Sequence, residues 1–585
     1  MEKVGEKVTE DKELTRIVVV GGGYAGVHAC QRLAKALGQK SGVEITLINP
    51  GPSHTLLTDL HEVAGNRIPP EGVEVSIRKV FAGKAVNFVE DRIVRIDPQK
   101  QILYSESHEY PYDYVILACG SEPAYYNIPG MKENALSLWS LKDAERIRRH
   151  VREMFRLAAS EKDAVKRQEL LTFVVGGGGF TGVEMIGELA DWVPDLCGEY
   201  GLSEFDVNLI LIEALPTILP NLRRSLAERA RRYMRARGIT VLTNSPIVEV
   251  TPEEVSLKSG TKIRTRTVIW TGGVQTNHEV QEFGFKCHKR GRVRVNEFLQ
   301  VEGYSNIYAV GDNACFMTHT GELPALVEAG LQGGACAAEN IARQVKGEKP
   351  REFRPKLHGV MVSIGAGYAV ADIAGIPLWG LPAVAMKHLV NLHYLFGVGG
   401  MWLVNRYLRL EFLNERGTLA PVFKHLTVKT SVVWLVILRL FLGYQWLVSG
   451  IHKVQSGFLV SGDKLVSGSS LVPMGPGTPQ FYVTFMEKVV FPHALFFQII
   501  VTLGELAIGT ALILGLFTAL AGLGSIFMNV NFMLSGTGNV WFLVTSLLML
   551  GGAGRAFGLD YYVMPFLEGL WRERRPVAKQ KSATA

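Results

Sequence analysis

Two copies of G-x-G-x-x-G constrain this chain more than any other feature in it. The first is Gly21, Gly23 and Gly26 in VGGGYAGV (Val20–Val27); the second is Gly177, Gly179 and Gly182 in VVGGGGFTGVE (Val174–Glu184). A β-branched run enters each loop, Arg16–Val20 in one case and Leu171–Val175 in the other, and a helical pattern leaves it. In that context the three glycines have separate tasks: a tight turn, a close approach of backbone to a pyrophosphate, and packing of helix on strand. The helix that follows offers free N–H groups and a partial positive charge to the phosphates. One copy alone is a common strand-end turn. Two in one chain predict an α/β fold with two Rossmann-like dinucleotide domains, most often a flavin beside a nicotinamide with a hydride passing between them.

A chain of 585 residues is too long for one core. The motifs divide it into a discontinuous first nucleotide domain (14–134 and 296–350), an inserted second one (135–295), an interface segment (351–425), an apolar domain (426–565) and a basic tail (566–585). In the first, helix Gly26–Leu37 leads to strand Val43–Ile48, which ends at Asn49. An acid ordinarily holds ribose hydroxyls at that position; asparagine still donates and accepts there, without charge. Tyr112–Gly120 (YDYVILACG) and Asn306–Asp312 (NIYAVGD) read as buried strands ending in glycine turns at Gly120 and Gly311. Asp312 is then placed to bind a ribose or ribityl hydroxyl, or to cap the next turn. In the second domain, strand Val207–Ile212 ends at Glu213, farther past Gly182 than the usual ~20 residues, with Pro194–Asp206 read as an intervening loop. A carboxylate there accepts from the adenosine 2′-OH and repels a 2′-phosphate, so NADH is favoured over NADPH. Val268–Val274 (VIWTGGV) supplies a strand and a Gly272–Gly273 turn whose backbone would face the nicotinamide end. Glu184, in the first turn of its helix, either complements the helix dipole or acts beside the reacting rings.

In this order, GGGYAG, YDYVILACG, VVGGGGFTGVEMIGELAD, VIWTGGV and IYAVGD resemble the type II NADH dehydrogenases over about residues 15–415. The resemblance implies non-covalent FAD on the first loop, with Gly21, Gly23 and Gly26 at the pyrophosphate and Asp312 on the ribityl side. It implies NADH as substrate on the second loop and a membrane quinone as electron acceptor, with no proton pumping and no metal. Glu184 matches a family glutamate near the rings that affects substrate binding and proton supply, and Lys387 a lysine near the flavin and the quinone entry. Leu323–Asn340 reads as a helix with Pro324 near its first position, its N-terminus aimed at the flavin pyrimidine. The family's quinone motif, A-Q-x-A-x-Q, falls on Val327–Gln332, and only Gln332 is retained. Val327, Glu328 and Gly330 replace Ala, Gln and Ala. Glu328 donates to a quinone carbonyl only when protonated, or it sets a proton donor beside the acceptor.

Hydrophobic residues make up 47% of the chain, and the long apolar runs lie in its last quarter. Ser431–Gly450, Ala494–Leu516, Thr518–Ser535 and Val540–Gly554 predict four transmembrane helices, given that ~20 residues span the hydrocarbon core. LRLFLGYQWLVSGIHKV, GELAIGTALILGLFTALAG and LLMLGGAGRAFGLD resemble the DoxX family of four-helix membrane proteins. Arg439 and Glu505 are intramembrane charges expected to pair, and Lys453–Pro492 reads as an outward-facing loop. Trp379–Trp402 fits an amphipathic element lying on the bilayer, a homodimer contact or a core helix. Basic residues around Arg406–Lys429 and Trp571–Lys581 place the catalytic domains and both termini on the cytoplasmic side of the cell membrane. The charged N-terminus has no apolar h-region, so no secretory signal is expected. Net charge is +7, with no basic stripe interleaved with aromatics to suggest nucleic acid. The six cysteines form no C-x-x-C pair, which argues against a disulfide framework, a structural zinc or a dithiol reductase. Two rival readings stay open: a membrane-tethered NAD(P)H-dependent flavin reductase for a sulfur compound or a protein, and a non-catalytic redox sensor.

Overall fold

In β1 (Thr15–Val20), Ile17 and the three valines after it are all buried. A strand covered on both faces belongs inside a parallel sheet. The computed structural model describes residues 14–38, 42–319, 321–412, 433–461, 478–536, 538–551, 553–555, 557–561 and 563. It separates into two units, Met1–Leu426 and Thr427–Ala585. The N-terminal residues before 14, residues 413–432 and 462–477, and the Trp571–Lys581 tail lie outside the described residues.

In the first unit, β1 leads through the first glycine loop into α1 (Tyr24–Leu37), whose Val27, Cys30, Leu33 and Leu37 are buried at helical spacing. β2 (Val43–Asn49), the short α2 (Leu60–Ala64), β3 (Asn87–Glu90) and β4 (Tyr114–Leu117) follow. The inserted portion repeats the plan with β5 (Leu136–Ser137), β6 (Thr172–Gly176), α3 (Phe180–Tyr200), β7 (Asn208–Ile212), β8 (Ile239–Leu242) and β9 (Thr267–Trp270). Its sheet runs β5–β9–β6–β7–β8, every pair parallel. The chain then returns as β10 (Ile307–Ala309) beside β4, closing the first sheet as β10–β4–β1–β2–β3, again all parallel. That return sets Gly311–Asn313 next to the first loop.

Two local expectations are corrected. Pro194–Asp206 is a connecting segment only in its second half: α3 continues through Pro194 to Tyr200 and ends at Gly201 in the left-handed region. An interior proline forfeits one helical hydrogen bond, and burial of Trp192, Val193, Leu196 and Cys197 holds the helix down regardless. The helix expected over Leu323–Asn340 is α4 (Val327–Val345), and Pro324 lies outside it because Leu326 is extended. α4 lies against α1 so closely that a Cβ on Gly334 would sit 2.3 Å from the Ala25 carbonyl oxygen. An antiparallel sheet of β11 (Gly359–Ser363), β12 (Ala369–Ile373) and β13 (Ile376–Trp379) leads to α5 (Leu381–Gly399) and α6 (Met401–Phe412).

The second unit holds α7 (Val433–Gln455), α8 (Ala494–Leu514), α9 (Thr518–Leu534) and α10 (Val540–Met549). Leu435–Gln455 and Gln480–Leu514 are long and apolar enough to cross a membrane, while α9 and α10 are shorter apolar helices. All four expected apolar segments are helical, two of them long enough to span and two shorter. Helix beginning at Gln480 also corrects the outward loop, whose last part is helical. The unit is apolar outside and buries polar groups among its apolar core: Phe496, Leu520 and Trp541 are exposed, whereas Gln498, Glu505, Ser525 and Asn529 are buried alongside Leu442, Ile508 and Leu512. That arrangement suits lipid as the solvent. Arg439 and Glu505 do not pair. Arg439 donates to the carbonyls of Ala553 and Phe557, 3.0 Å each, which solvate it from a neighbouring turn. Glu505 instead meets Lys453 on α7 and accepts from Ser449 Oγ at 3.0 Å. Lys453 lies one turn past Ser449 on the face that α8 covers, so it reaches the carboxylate first.

Candidate functional site

The two glycine loops have the same construction. Gly21 and Gly177 have φ of 107° and 110°, in a region that L side chains rarely adopt. A Cβ on Gly26 would lie 1.9 Å from the Gly21 carbonyl oxygen, and one on Gly182 would lie 1.8 Å from that of Gly177. At Gly23 and Gly179 nothing stands within 4 Å of such an atom. The outer glycines are thus packed into the protein, and the middle ones face open space where a pyrophosphate would approach. The residue ending each second strand closes its loop. Asn49 Oδ1 accepts from the Gly22 N–H at 2.7 Å, and Glu213 Oε2 accepts from the Gly178 N–H at 2.6 Å. Glu213 Oε1 also takes the Leu215 N–H at 2.7 Å. Asp312 accepts from Ser121 Oγ at 2.5 Å, and Asn313 brackets Gly120 by bonding both its N–H and its carbonyl. Gly272 and Gly273 follow β9, with Gly273 at φ 134° and facing the Tyr126 hydroxyl.

Where α2, α3, α5 and α6 come together lies a buried cluster of charge. α2 contributes His61 and Glu62, α3 contributes Glu184 and Glu188, α5 Lys387, α6 Glu411, and the turn after α2 Arg67. Lys387 Nζ donates to Glu62 Oε1 at 2.6 Å and to Ser363 Oγ at 3.2 Å. Arg67 spreads its guanidinium over three acids: Nε on Glu188 at 3.0 Å, Nη2 on Glu62 at 2.6 Å, and Nη1 on Glu411. His61 stands between two acids, Nε2 3.9 Å from Glu62 and Nδ1 3.7 Å from Glu184. Asp59 is buried beside them, within 3.5 Å of the Asn391 amide. Glu184 and Lys387 keep some exposure, 15% and 11% of their side chains.

Burial in low dielectric penalises the charged form, so it governs most of these groups. It pushes Glu184 up to about 8 and Glu188 up to about 7. Burial, then the Glu62 charge, raises Asp59 to about 7, and the same two causes raise Glu411. Glu62 is the exception: burial pushes it up, but Arg67 and Lys387 together outweigh that and hold it well below the carboxylate range. Burial also pulls His61 far down, leaving a neutral imidazole. On the first-loop side, His54 Nδ1 meets the Gly22 carbonyl at 3.0 Å and Nε2 meets the Tyr394 hydroxyl at 2.7 Å. Burial lowers His54 to about 4, so it is neutral and acts as a loop support.

At the start of α4, Val327 is the first helical residue. Glu328 is not free: its carboxylate takes the His358 backbone N–H at 2.9 Å and pairs with the His358 ring. Gln332 clamps Lys356, donating to its carbonyl at 2.7 Å and accepting its N–H at 2.9 Å. Both residues thus tie the segment before β11 to α4. All six cysteines are unpaired. Among the described residues, His288, Cys315 and Glu322 bring ligand-type atoms within 4.8 Å of one another. Arg292 lies 2.7 Å from Glu322, and its charge opposes a cation there.

The structure brings Glu184 and Lys387 together around Glu62 and His61, and holds Glu328 and Gln332 in the separate contacts on α4. Asp59, His61, Glu62, Arg67 and Glu411 are absent from the sequence-derived set. The only local signal was the acidic segment HTLLTDLHEVA; Arg67 and Glu411 had none.

Residues 15–334 match the family model for pyridine nucleotide-disulphide oxidoreductases, and residues 434–538 match the DoxX model. The chain is similar to the type II NADH:quinone oxidoreductase of Staphylococcus aureus, 32% identical over 399 residues, covering 66% of this chain and 97% of the relative. The Staphylococcus epidermidis protein of the same description matches to the same extent. Among solved structures, NDH2 from Plasmodium falciparum in complex with NADH superposes with a TM-score of 0.62 at 18% identity, over 68% of this chain and 98% of that one. The sulfide:quinone oxidoreductase of Aquifex aeolicus gives 0.56 at 17% identity, over 71% and 96%. These two likenesses speak to the fold.

Proposed function

This chain belongs to the type II NADH:quinone oxidoreductase family, with a DoxX domain fused after it, and we propose that its buried carboxyl cluster serves NADH-to-quinone electron transfer at a membrane. Family membership implies FAD and NADH. The two loops fit them, because each leaves its middle glycine open while Gly21, Gly26, Gly177 and Gly182 are packed. Bound on the first loop, FAD would supply the two-electron carrier between NADH and the quinone.

The remaining roles fall to the chain. Gly21, Gly23 and Gly26 bind the FAD pyrophosphate, with Asn49 and Asp312 closing the pocket. Gly177, Gly179 and Gly182 receive NADH, and Glu213, with its negative charge beside the loop, disfavours a 2′-phosphate. Glu184 holds a proton at its carboxyl oxygen near neutral pH, on the evidence of its burial and raised affinity. Lys387 is held charged by Glu62: burial would pull it down, but the carboxylate 2.6 Å away overrides that. A fixed cation next to a protonated acid can stabilise developing negative charge on a quinone oxygen and then protonate it. Glu328 and Gln332 shape the acceptor side through the segment they clamp. Exposed Leu381, Leu389, Phe396 and Met401 on α5 and α6 give this unit an apolar face for the bilayer or for a second copy. The catalytic domains and both termini are cytoplasmic in this reading, on the side of the basic residues.

The observation that carries the reading is Glu184 and Lys387 brought together around Glu62 and His61, where α2, α3 and α5 pack. Protein reconstituted in lipid should be bleached by NADH and recoloured by menaquinone or ubiquinone analogues. Bleaching without recolouring by any quinone, but with recolouring by a sulfur compound or a protein, would replace the acceptor. Colourless protein would end the reading.

A further inference from the structure

The middle glycine of each loop is held at both its N–H and its carbonyl, but by different means. In the second loop, Gly178 gives its N–H to Glu213 Oε2 at 2.6 Å, and its carbonyl accepts the Leu219 main-chain N–H at 2.9 Å. In the first, the Gly22 N–H goes to Asn49 Oδ1 at 2.7 Å, and the carbonyl meets His54 Nδ1 at 3.0 Å. A side chain thus fills in one loop the place that a main-chain amide fills in the other. His54 stands in a three-residue strand, Ser53–Thr55, paired with Glu74–Ser76, and it is completely buried. The ring of Tyr24, the first residue of α1, meets it edge-on at 4.9 Å.

The partners fix the tautomer of this ring. A carbonyl oxygen only accepts, so Nδ1 carries the hydrogen, and Nε2 of the neutral ring accepts from the Tyr394 hydroxyl at 2.7 Å. Tyr394 reaches that nitrogen because Lys387, Asn391 and Tyr394 share one face of α5. That face docks on the chain before and within α2: Lys387 on Glu62, Asn391 within 3.5 Å of Asp59, and Tyr394 on His54. In a planar trans peptide the C=O and N–H point opposite ways. Holding the Gly22 oxygen at His54 therefore turns the Gly23 N–H away from it, at the head of α1, where phosphates take such donors. Gly23 is also the glycine with nothing within 4 Å of its Cβ position.

Resting on FAD at the first loop in the function proposed above, we propose that His54 is the positioning residue of that loop and that Tyr394 on α5 fixes its tautomer. The hydrogen on Nδ1, rather than the bulk of the ring, sets the Gly22–Gly23 peptide for the pyrophosphate. The second loop needs no such residue, because a main-chain N–H has no tautomer to choose.

Three variants of the full chain test it: His54→Phe, His54→Asn and Tyr394→Phe. Phenylalanine keeps the bulk of a ring and donates nothing, whereas asparagine is smaller but keeps an amide donor on the Nδ1 side. Flavin-loaded protein in detergent is diluted, and the fluorescence of released FAD gives its dissociation constant. Melting and NAD⁺ titration in saturating FAD report the fold and the second loop. H54F should bind FAD at least about tenfold more weakly, because a buried carbonyl loses its donor. H54N should stay within about threefold of the parent. Y394F should weaken FAD binding about threefold, and this effect should vanish beside H54N, since asparagine has no tautomer to fix. NAD⁺ should bind all of them as it binds the parent. FAD kept by H54F and lost by H54N would make packing the role of His54 and overturn the proposal. So would a Y394F effect that persists beside H54N, or a loss of NAD⁺ affinity to match that of FAD. Should H54F not fold, Y394F with and without H54N still decides. A parent that holds no FAD would end the function proposed above as well, whereas a parent that holds it beside indifferent variants ends this inference alone.

Discussion

Replacing Glu184 with glutamine should stabilise the protein in alkali. Glu184 has a folded proton affinity of about 8 against an ordinary 4.5, burial being the main cause. The folded value lies above the unfolded one, so the native state binds the extra proton between them. The contribution of Glu184 to stability is therefore fully present below pH 4.5 and is lost as the pH rises through about 8. Glutamine keeps the shape of the protonated acid and does not titrate. Each pH unit above the ordinary value is worth about 1.4 kcal/mol, so E184Q should gain about 3 kcal/mol over the parent at pH 7 and about 5 kcal/mol above pH 8. These are upper bounds, because the 15% exposure of the side chain lets water screen the charge. Near pH 5 the difference should fall below about 1 kcal/mol. Thermal unfolding of parent and E184Q in the same lipid or detergent, followed from pH 5 to pH 9, reads the gap directly. A gap independent of pH, or one that closes as pH rises, would refute the claim that Glu184 is protonated at neutrality because it is buried.

Replacing Lys387 with methionine removes one of the two cations on Glu62. Breaking a buried pair costs about 3–5 kcal/mol, and a value near the lower end is expected because Arg67 stays 2.6 Å from the same oxygen. Denaturation of K387M alone and of K387M/E62Q checks this, and a loss below about 1 kcal/mol in K387M would contradict it. Alanine at Gly26 puts a Cβ 1.9 Å from Gly21 O, and alanine at Gly182 puts one 1.8 Å from Gly177 O. The first variant should purify colourless and the second yellow but unbleached by NADH, so the reverse pattern would exchange the loop assignments. Replacing Lys453 with methionine strands the buried Glu505 carboxylate, and the yield of folded protein should drop. Adding Glu505→Gln should restore it, and recovery that fails would mean that Lys453 acts through packing alone.

Much of the nucleotide architecture was legible in the primary structure because it obeys local rules. Three glycines at fixed spacing, a β-branched run before them and a polar residue ending the second strand are consequences of backbone sterics and hydrogen bonding over short stretches. Asn49 and Glu213 were readable as counterparts for that reason, and both prove to close their own loop by the same N–H contact. Local reasoning failed where long-range burial outvotes it. Pro194 reads as a break, yet a helix covered by the protein continues through it. Arg439 and Glu505 read as partners by charge alone, whereas helix register gives Glu505 to Lys453 and gives Arg439 a pair of carbonyls.

The proton chemistry was the least visible part. Arg67 and Glu411 stand 344 positions apart, and Glu62 and Lys387 stand 325 apart. Nothing in either neighbourhood says that they meet. The order of residues by itself determined that this chain carries two Rossmann-type glycine loops and ends in apolar helices, since periodicity and glycine spacing are properties of adjacent residues. Only the tertiary structure decided which carboxyls are buried together and which cations stand beside them. A charge takes its energy from the dielectric and the neighbours around it, and those exist only once distant segments have packed together.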